Sequence, residues 1–89
     1  MGVRLIEGGD EPRVSTARLA ELMVSYERDL EAERPEAVVL ADASDASLAA
    51  GLVASKLLIP LAAMPAAIEA PSENGRVIAQ LASAYTPRA

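Results

Sequence analysis

The sequence contains no cysteine and no histidine. The first absence excludes disulfides, thiolate catalysis and cysteine-ligated metal. The second removes the side chain that most often acts as a base near neutrality and as a transition-metal ligand. Phenylalanine and tryptophan are missing too, which leaves Tyr26 and Tyr85 as the aromatic residues. With no basic cluster and a net charge of −5, the chain is a poor match for nucleic acid. No apolar run approaches the ~20 residues of a membrane-spanning helix. The opening MGVRLIEGG is too short and too acidic for a secretory signal. A cytoplasmic location is therefore expected, with no membrane, no metal site and no cofactor.

What is present fits one small α/β domain spanning residues 1–89. The hydrophobic share is 52%, but much of it is alanine, which fills space while removing little area from water. A chain of this size buries only about 60–65% of its unfolded surface. Without disulfides or metal, association supplies the missing burial. A homo-oligomer is expected, a dimer by the prevalence of twofold symmetry.

The chain is organised around Ala37–Ala62. Val38, Val39 and Leu40 form a continuous apolar, β-branched run that suits a strand buried on both faces. Asp42 stops the run, and Ala43–Ser47 supplies small polar residues able to cap a helix. Leu48, Leu52 and Leu57 follow at roughly helical spacing, with alanines and Gly51 making a thin face for close packing. Pro60 ends the helix and opens a second strand, Leu61–Met64. A strand–helix–strand unit of this length is a parallel crossover, and its chemistry falls in the loop after the strand, Asp42–Ser47.

On the N-terminal side, Val3–Ile6 reads as an edge or terminal strand and Glu7–Pro12 as a turn. Ser15 or Thr16 caps a helix whose stripe is Leu19, Leu22, Met23, Tyr26 and Leu30, ending near Arg34 before Pro35. On the C-terminal side, Pro65–Asn74 reads as a loop. Ser72 then caps a helix over 73–85 with Val77, Ile78, Leu81 and Tyr85 inward, stopped by Thr86-Pro87. The order β-α-β-α-β-α predicts a small three-stranded parallel sheet with helices on its faces, a Rossmann-like half-lobe. Val38–Leu40 would expose an apolar edge unless Val3–Ile6 or a second subunit covers it, so strand order stays open.

Three segments in order resemble the non-hydrolysing UDP-N-acetylglucosamine 2-epimerases. These are ERPEAVVLADASDASLAAGLVASKLLIPLA, the later PSENGRVIAQLASAYTP, and the preceding Glu-Gly-Gly turn with its charged helix. The match covers nearly all of this chain but only the latter half of one lobe of that larger enzyme. The resemblance implies a Rossmann-like fold and a site at the strand tips. Its chemistry does not carry over. The family's catalytic Gly-Asp-Thr reads Ala41-Asp42-Ala43 here, and Asp42 keeps register with Leu48 only if one residue is inserted. Pro65 stands where the family has a catalytic glutamate, and Ser72 replaces the first glutamate of its Pro-Glu-Glu. Glu73 and Arg76 are retained.

Epimerisation beside an anomeric carbon needs one group to remove a carbon-bound proton, another to return it, and acid help at the glycosidic oxygen. Asp42, Asp45, Glu69 and Glu73 are the candidates near the loop ends. No catalytic residue is assigned. The candidate ligand-binding residues are Asp42, Ser44, Asp45, Ser47, Glu73, Asn74 and Arg76. Each has a plainer reading: Asp42 as a helix cap, the 44–47 amides as an ordinary helix start, and Glu73 and Arg76 as an internal pair. Helix N-terminal amides at 44–47 could hold an anion, yet Asp42 and Asp45 would repel a phosphate. The expected function is thus a non-catalytic epimerase-like mini-domain acting as an oligomeric or binding module. The alternatives are a residual UDP-sugar or small-anion binder at the 42–47 loop, and a subunit that completes a partner epimerase-like protein.

Overall fold

A computed structural model describes residues 2–8 and 13–85. Most of the turn read at Glu7–Pro12, the Thr86-Pro87 stop and the inward face of Tyr85 lie outside the described residues. The strands are β1 (Val3–Ile6), β2 (Ala37–Leu40) and β3 (Leu61–Ala63). They form one parallel sheet in the order β1-β2-β3, so Val3–Ile6 is the strand that flanks the central one. Helices α1 (Thr16–Glu33) and α2 (Asp45–Lys56) make the two crossovers, and α3 (Pro65–Ile68) and α4 (Glu73–Tyr85) follow β3.

Caps define the helix ends. Ser15 Oγ accepts from the Arg18 N–H at 3.1 Å, and Arg34 closes α1 in the left-handed region at φ 48°. Ser44 Oγ accepts from the Ser47 N–H at 3.1 Å to open α2, and Ser72 Oγ accepts from the Gly75 N–H at 3.1 Å to open α4.

Strand order decides the layering. A sheet numbered straight across, with crossovers of one hand, carries both crossover helices on the same side. Val38, Leu40 and Leu61, all fully buried, meet Leu30 of α1, Ala50, Val53 and Ala54 of α2, and Ile78 of α4 in one core. Gly51 lets α2 approach β2 closely, since a Cβ there would sit 3.0 Å from Leu40 Cδ1. Among the described residues no helix covers the other face, where Val3 is 61% and Leu5 56% exposed. The parallel α/β sheet is as expected, but its helices gather on one face and Val39 is only half-buried.

Four further details depart from the sequence reading. The stretch read as loop 65–74 begins with α3, because Pro65 at the first helical position has its φ pre-set and needs no N–H partner. β3 ends at Ala63, since Met64 is the cap of that helix. Val77 is exposed: Ile78 takes the core-facing position, and its neighbour is turned about 100° away. Along α1 only Leu30 is fully buried, while Met23 and Tyr26 are partly covered, because α1 packs on α2 rather than over the middle of the sheet. No helix among the described residues is long and apolar enough to cross a membrane.

Candidate functional site

The strand tips, the starts of α2 and α4, and the segment leading into α1 meet at one end of the sheet. Between them lies an open crevice of about 340 Å³ lined by Arg13, Ala43, Ser44, Asp45, Ser72, Glu73 and Asn74. Of the residues singled out from sequence, Ser44, Asp45, Glu73 and Asn74 line it. Asp42, Ser47 and Arg76 do not line it: Ser47 is fully buried, Asp42 half-buried and Arg76 exposed. The Glu73–Arg76 pair expected at the start of α4 is not formed.

Asp42 follows β2 directly, and its carboxylate is engaged on several sides. Oδ2 accepts from the Gly8 N–H at 3.1 Å, which ties the end of β1 to the end of β2. Oδ1 accepts from the Ser44 N–H at 3.1 Å and from Ser47 Oγ at 2.9 Å, closing a turn onto the first turn of α2. Gly8 fits because the backbone passes close: a Cβ there would lie 2.3 Å from Ser44 Oγ. The buried Ser47 hydroxyl is satisfied by the same carboxylate.

Asp45 joins three separate segments. Its Oδ2 accepts from the Val14 N–H at 2.7 Å and its Oδ1 from Asn74 Nδ2 at 2.7 Å. Asn74 Nδ2 also donates to the Ala43 carbonyl at 3.2 Å. The Val14 N–H holds the Asp45 carboxyl below its ordinary value of 3.8, the Asn74 amide adds to this, partial burial opposes it, and Arg13 contributes attraction. Position in the first turn of α2 is also where a negative charge suits the helix dipole.

Arg13 and Ser72 are not among the ligand-binding candidates that the sequence offers, although Ser72 reads there as a cap. Arg13 sits in a polar stretch before a helix and has no motif. Only the folding-back of residues 13–15 over the strand tips brings it to the crevice. Glu69, at the end of α3, is exposed and does not line the crevice. Chemically, the arrangement supplies hydroxyls, an amide, one guanidinium and two carboxylates, with Asp42 and Asp45 both accepting hydrogen bonds from neighbouring segments.

No family model matches this chain, and no curated protein sequence matches it. Among solved structures it is similar to the UDP-GlcNAc 2-epimerase from Methanocaldococcus jannaschii, with 23% identity and a TM-score of 0.64. The likeness covers 85% of this chain and 22% of that one, so the chain spans about a fifth of the enzyme's length. At that identity the shared property is the fold: a parallel Rossmann-like unit resembling a fragment of the epimerase.

Proposed function

We propose that the chain works as a non-catalytic, cytoplasmic α/β module that keeps part of an epimerase-like scaffold and acts by association rather than by proton transfer. The observation that carries this reading is the state of Asp42. A base that removes a carbon-bound proton must come within hydrogen-bond reach of the substrate, and Asp42 does not line the crevice. The Asp42 carboxylate instead accepts from Gly8, Ser44 and Ser47, and so fastens two loops to α2. Asp45 is engaged in the same manner by Val14 and Asn74, and the sequence has no histidine or cysteine to take over. Incubation of the purified chain with UDP-GlcNAc should give no 2-epimer by NMR. Sustained conversion would overturn the reading.

One observation favours a second reading, a small-anion or UDP-sugar binder. The crevice brings Arg13 beside the N-termini of α2 and α4, with Ser44, Ser72 and Asn74 as hydrogen-bonding groups. Asp45 and Glu73 in the same lining work against a phosphate. A UDP-sugar titration followed by amide shifts separates the two readings. Shifts confined to residues 13–14, 42–47 and 72–76 would favour the binder, and a silent titration would remove it.

A further inference from the structure

Asn74 and Gly75 are neighbours in the first turn of α4, and separate packing demands put each of them there. The Asn74 amide donates to Asp45 Oδ1 at 2.7 Å and to the Ala43 carbonyl at 3.2 Å. A carboxylate or an apolar side chain at 74 could serve neither acceptor. Gly75 is buried, and a Cβ there would lie 2.5 Å from the Ala70 carbonyl oxygen and 3.3 Å from that of Ala67. Glycine is otherwise disfavoured inside a helix, so this close backbone approach accounts for it. The resulting Asn-Gly pair has a chemical liability. With no side chain on the second residue, its backbone nitrogen is the least hindered in reaching the preceding Asn Cγ.

We propose that Asn74 is a spontaneous deamidation site, held inert by the folded first turn of α4 and released when that turn opens locally. In the reaction the Gly75 nitrogen gives up its proton to solvent and bonds to Asn74 Cγ. The Cγ–Nδ2 bond breaks, ammonia leaves, and a cyclic imide remains. Water then opens the imide at either carbonyl, giving aspartate, or isoaspartate where the main-chain bond is the one that breaks. Water is the sole co-reactant, and half-buried Asn74 is within its reach. The fold guards the amide in several ways. Helical backbone at Asn74 misaligns Cγ with the next nitrogen. The side chain points to Asp45 and Ala43 rather than to its own backbone. The Gly75 N–H donates to Ser72 Oγ at 3.1 Å, which engages the attacking atom. These guards stand at a helix terminus, where opening costs least. The product cannot rebuild them. A carboxylate at 74 faces Asp45 Oδ1 and the Ala43 carbonyl, acceptor against acceptor. Reaction therefore unties the start of α4 from the start of α2, and adds negative charge to a crevice that already holds Asp45 and Glu73.

Asn74 is the one asparagine of the chain and Gln80 the one glutamine. The intact mass of the full chain therefore reads amide-to-acid conversion, and fragment masses assign it to position 74. In warm, mildly alkaline buffer the chain unfolded in urea should convert about tenfold faster than the folded chain, or more. Ser72→Ala and Asp45→Ala each remove one guard and should speed conversion of the folded chain about fivefold. Ser15→Ala removes the matching cap of α1 and should leave the rate unchanged. Asn74→Asp, a stand-in for the product, should lower the urea midpoint. Absence of conversion in urea would overturn the proposal, as would equal rates in the folded and unfolded chain. Acceleration by Ser15→Ala equal to that by Ser72→Ala would place release in global unfolding and overturn it too. Circular dichroism checks that each variant is folded, and should either fail, the urea comparison on the unaltered chain still decides. Neither functional reading given above enters this outcome.

Discussion

The two faces of one short sheet have opposite fates. On the helical side Val38, Leu40 and Leu61 are fully buried, and on the other side Val3 and Leu5 remain more than half exposed. Adjacent residues of one strand are divided this way: Leu40 fills the core while Val39, one position earlier, is only partly covered. Composition does not separate them, since both are apolar and both lie in the same run. What differs is the number of layers. An order of β1-β2-β3 brings both crossover helices to one side, α4 packs against α2 on that same side, and no described helix covers the second side. An apolar run in a parallel strand thus reports that two faces need cover, without saying who provides it.

The sharpest way to break this contrast is to truncate one residue on each face. Leu40→Ala should cost about 3 kcal/mol, as a fully buried leucine that contacts the α2 layer leaves a cavity. Leu5→Ala, measured by urea unfolding at dilution where the chain is monomeric, should stay within about 0.5 kcal/mol. Equal losses would mean that the faces are not distinct in solution.

The covered layer ends at the strand tips, where a polar tie replaces apolar packing. Asp42→Ala should cost about 2–3 kcal/mol, because the buried Ser47 hydroxyl and the Gly8 and Ser44 amides lose their acceptor. Asp42→Asn, which keeps an acceptor oxygen, should recover part of that. A urea midpoint unchanged by Asp42→Ala would show the tie to be idle.

Asp45 gives a smaller, pH-dependent effect at the same end. Its folded-state pKa lies below the ordinary 3.8, chiefly through the Val14 N–H and then through Asn74. The carboxylate therefore contributes stability that is fully present above 3.8 and is lost as pH falls through the folded value. Asn74→Ala should move the Asp45 titration upward only part of the way, since the Val14 bond remains. Carboxyl carbon shifts read by NMR test this, and a titration that does not move would remove Asn74 from the account. The least effect belongs to the outer surface of α1. Arg18→Ala should change stability by less than about 0.5 kcal/mol, because its 3.6 Å contact with Glu21 is exposed on both sides.

Much of the scaffold was legible because local rules and the global fold agree. Ser15, Ser44 and Ser72 are good caps in sequence and caps in space. The Val38–Leu40 run and Pro60 mark out β2 and the approach to β3. The site was legible only in part. Asp42, Ser44 and Asp45 are placed by chain proximity, and Asn74 reaches them from another helix. Arg13 left no local signal, since it belongs to the crevice only because residues 13–15 fold across the strand tips. Arg76 and Val77 were misplaced for a common reason: a helix start in sequence does not reveal which way its face turns.

The sequence by itself determined the alternation of strands and helices, the caps that bound them, and the lack of imidazole and thiol chemistry, because these depend on spacing and residue type alone. The tertiary structure decided that the helices share one side of the sheet, that Asp42 holds loops together, and that the row of Leu5, Val39 and Ala62 is left without a helix among the described residues. Those features depend on strand order and on contacts between residues distant in the chain, and no local pattern encodes either.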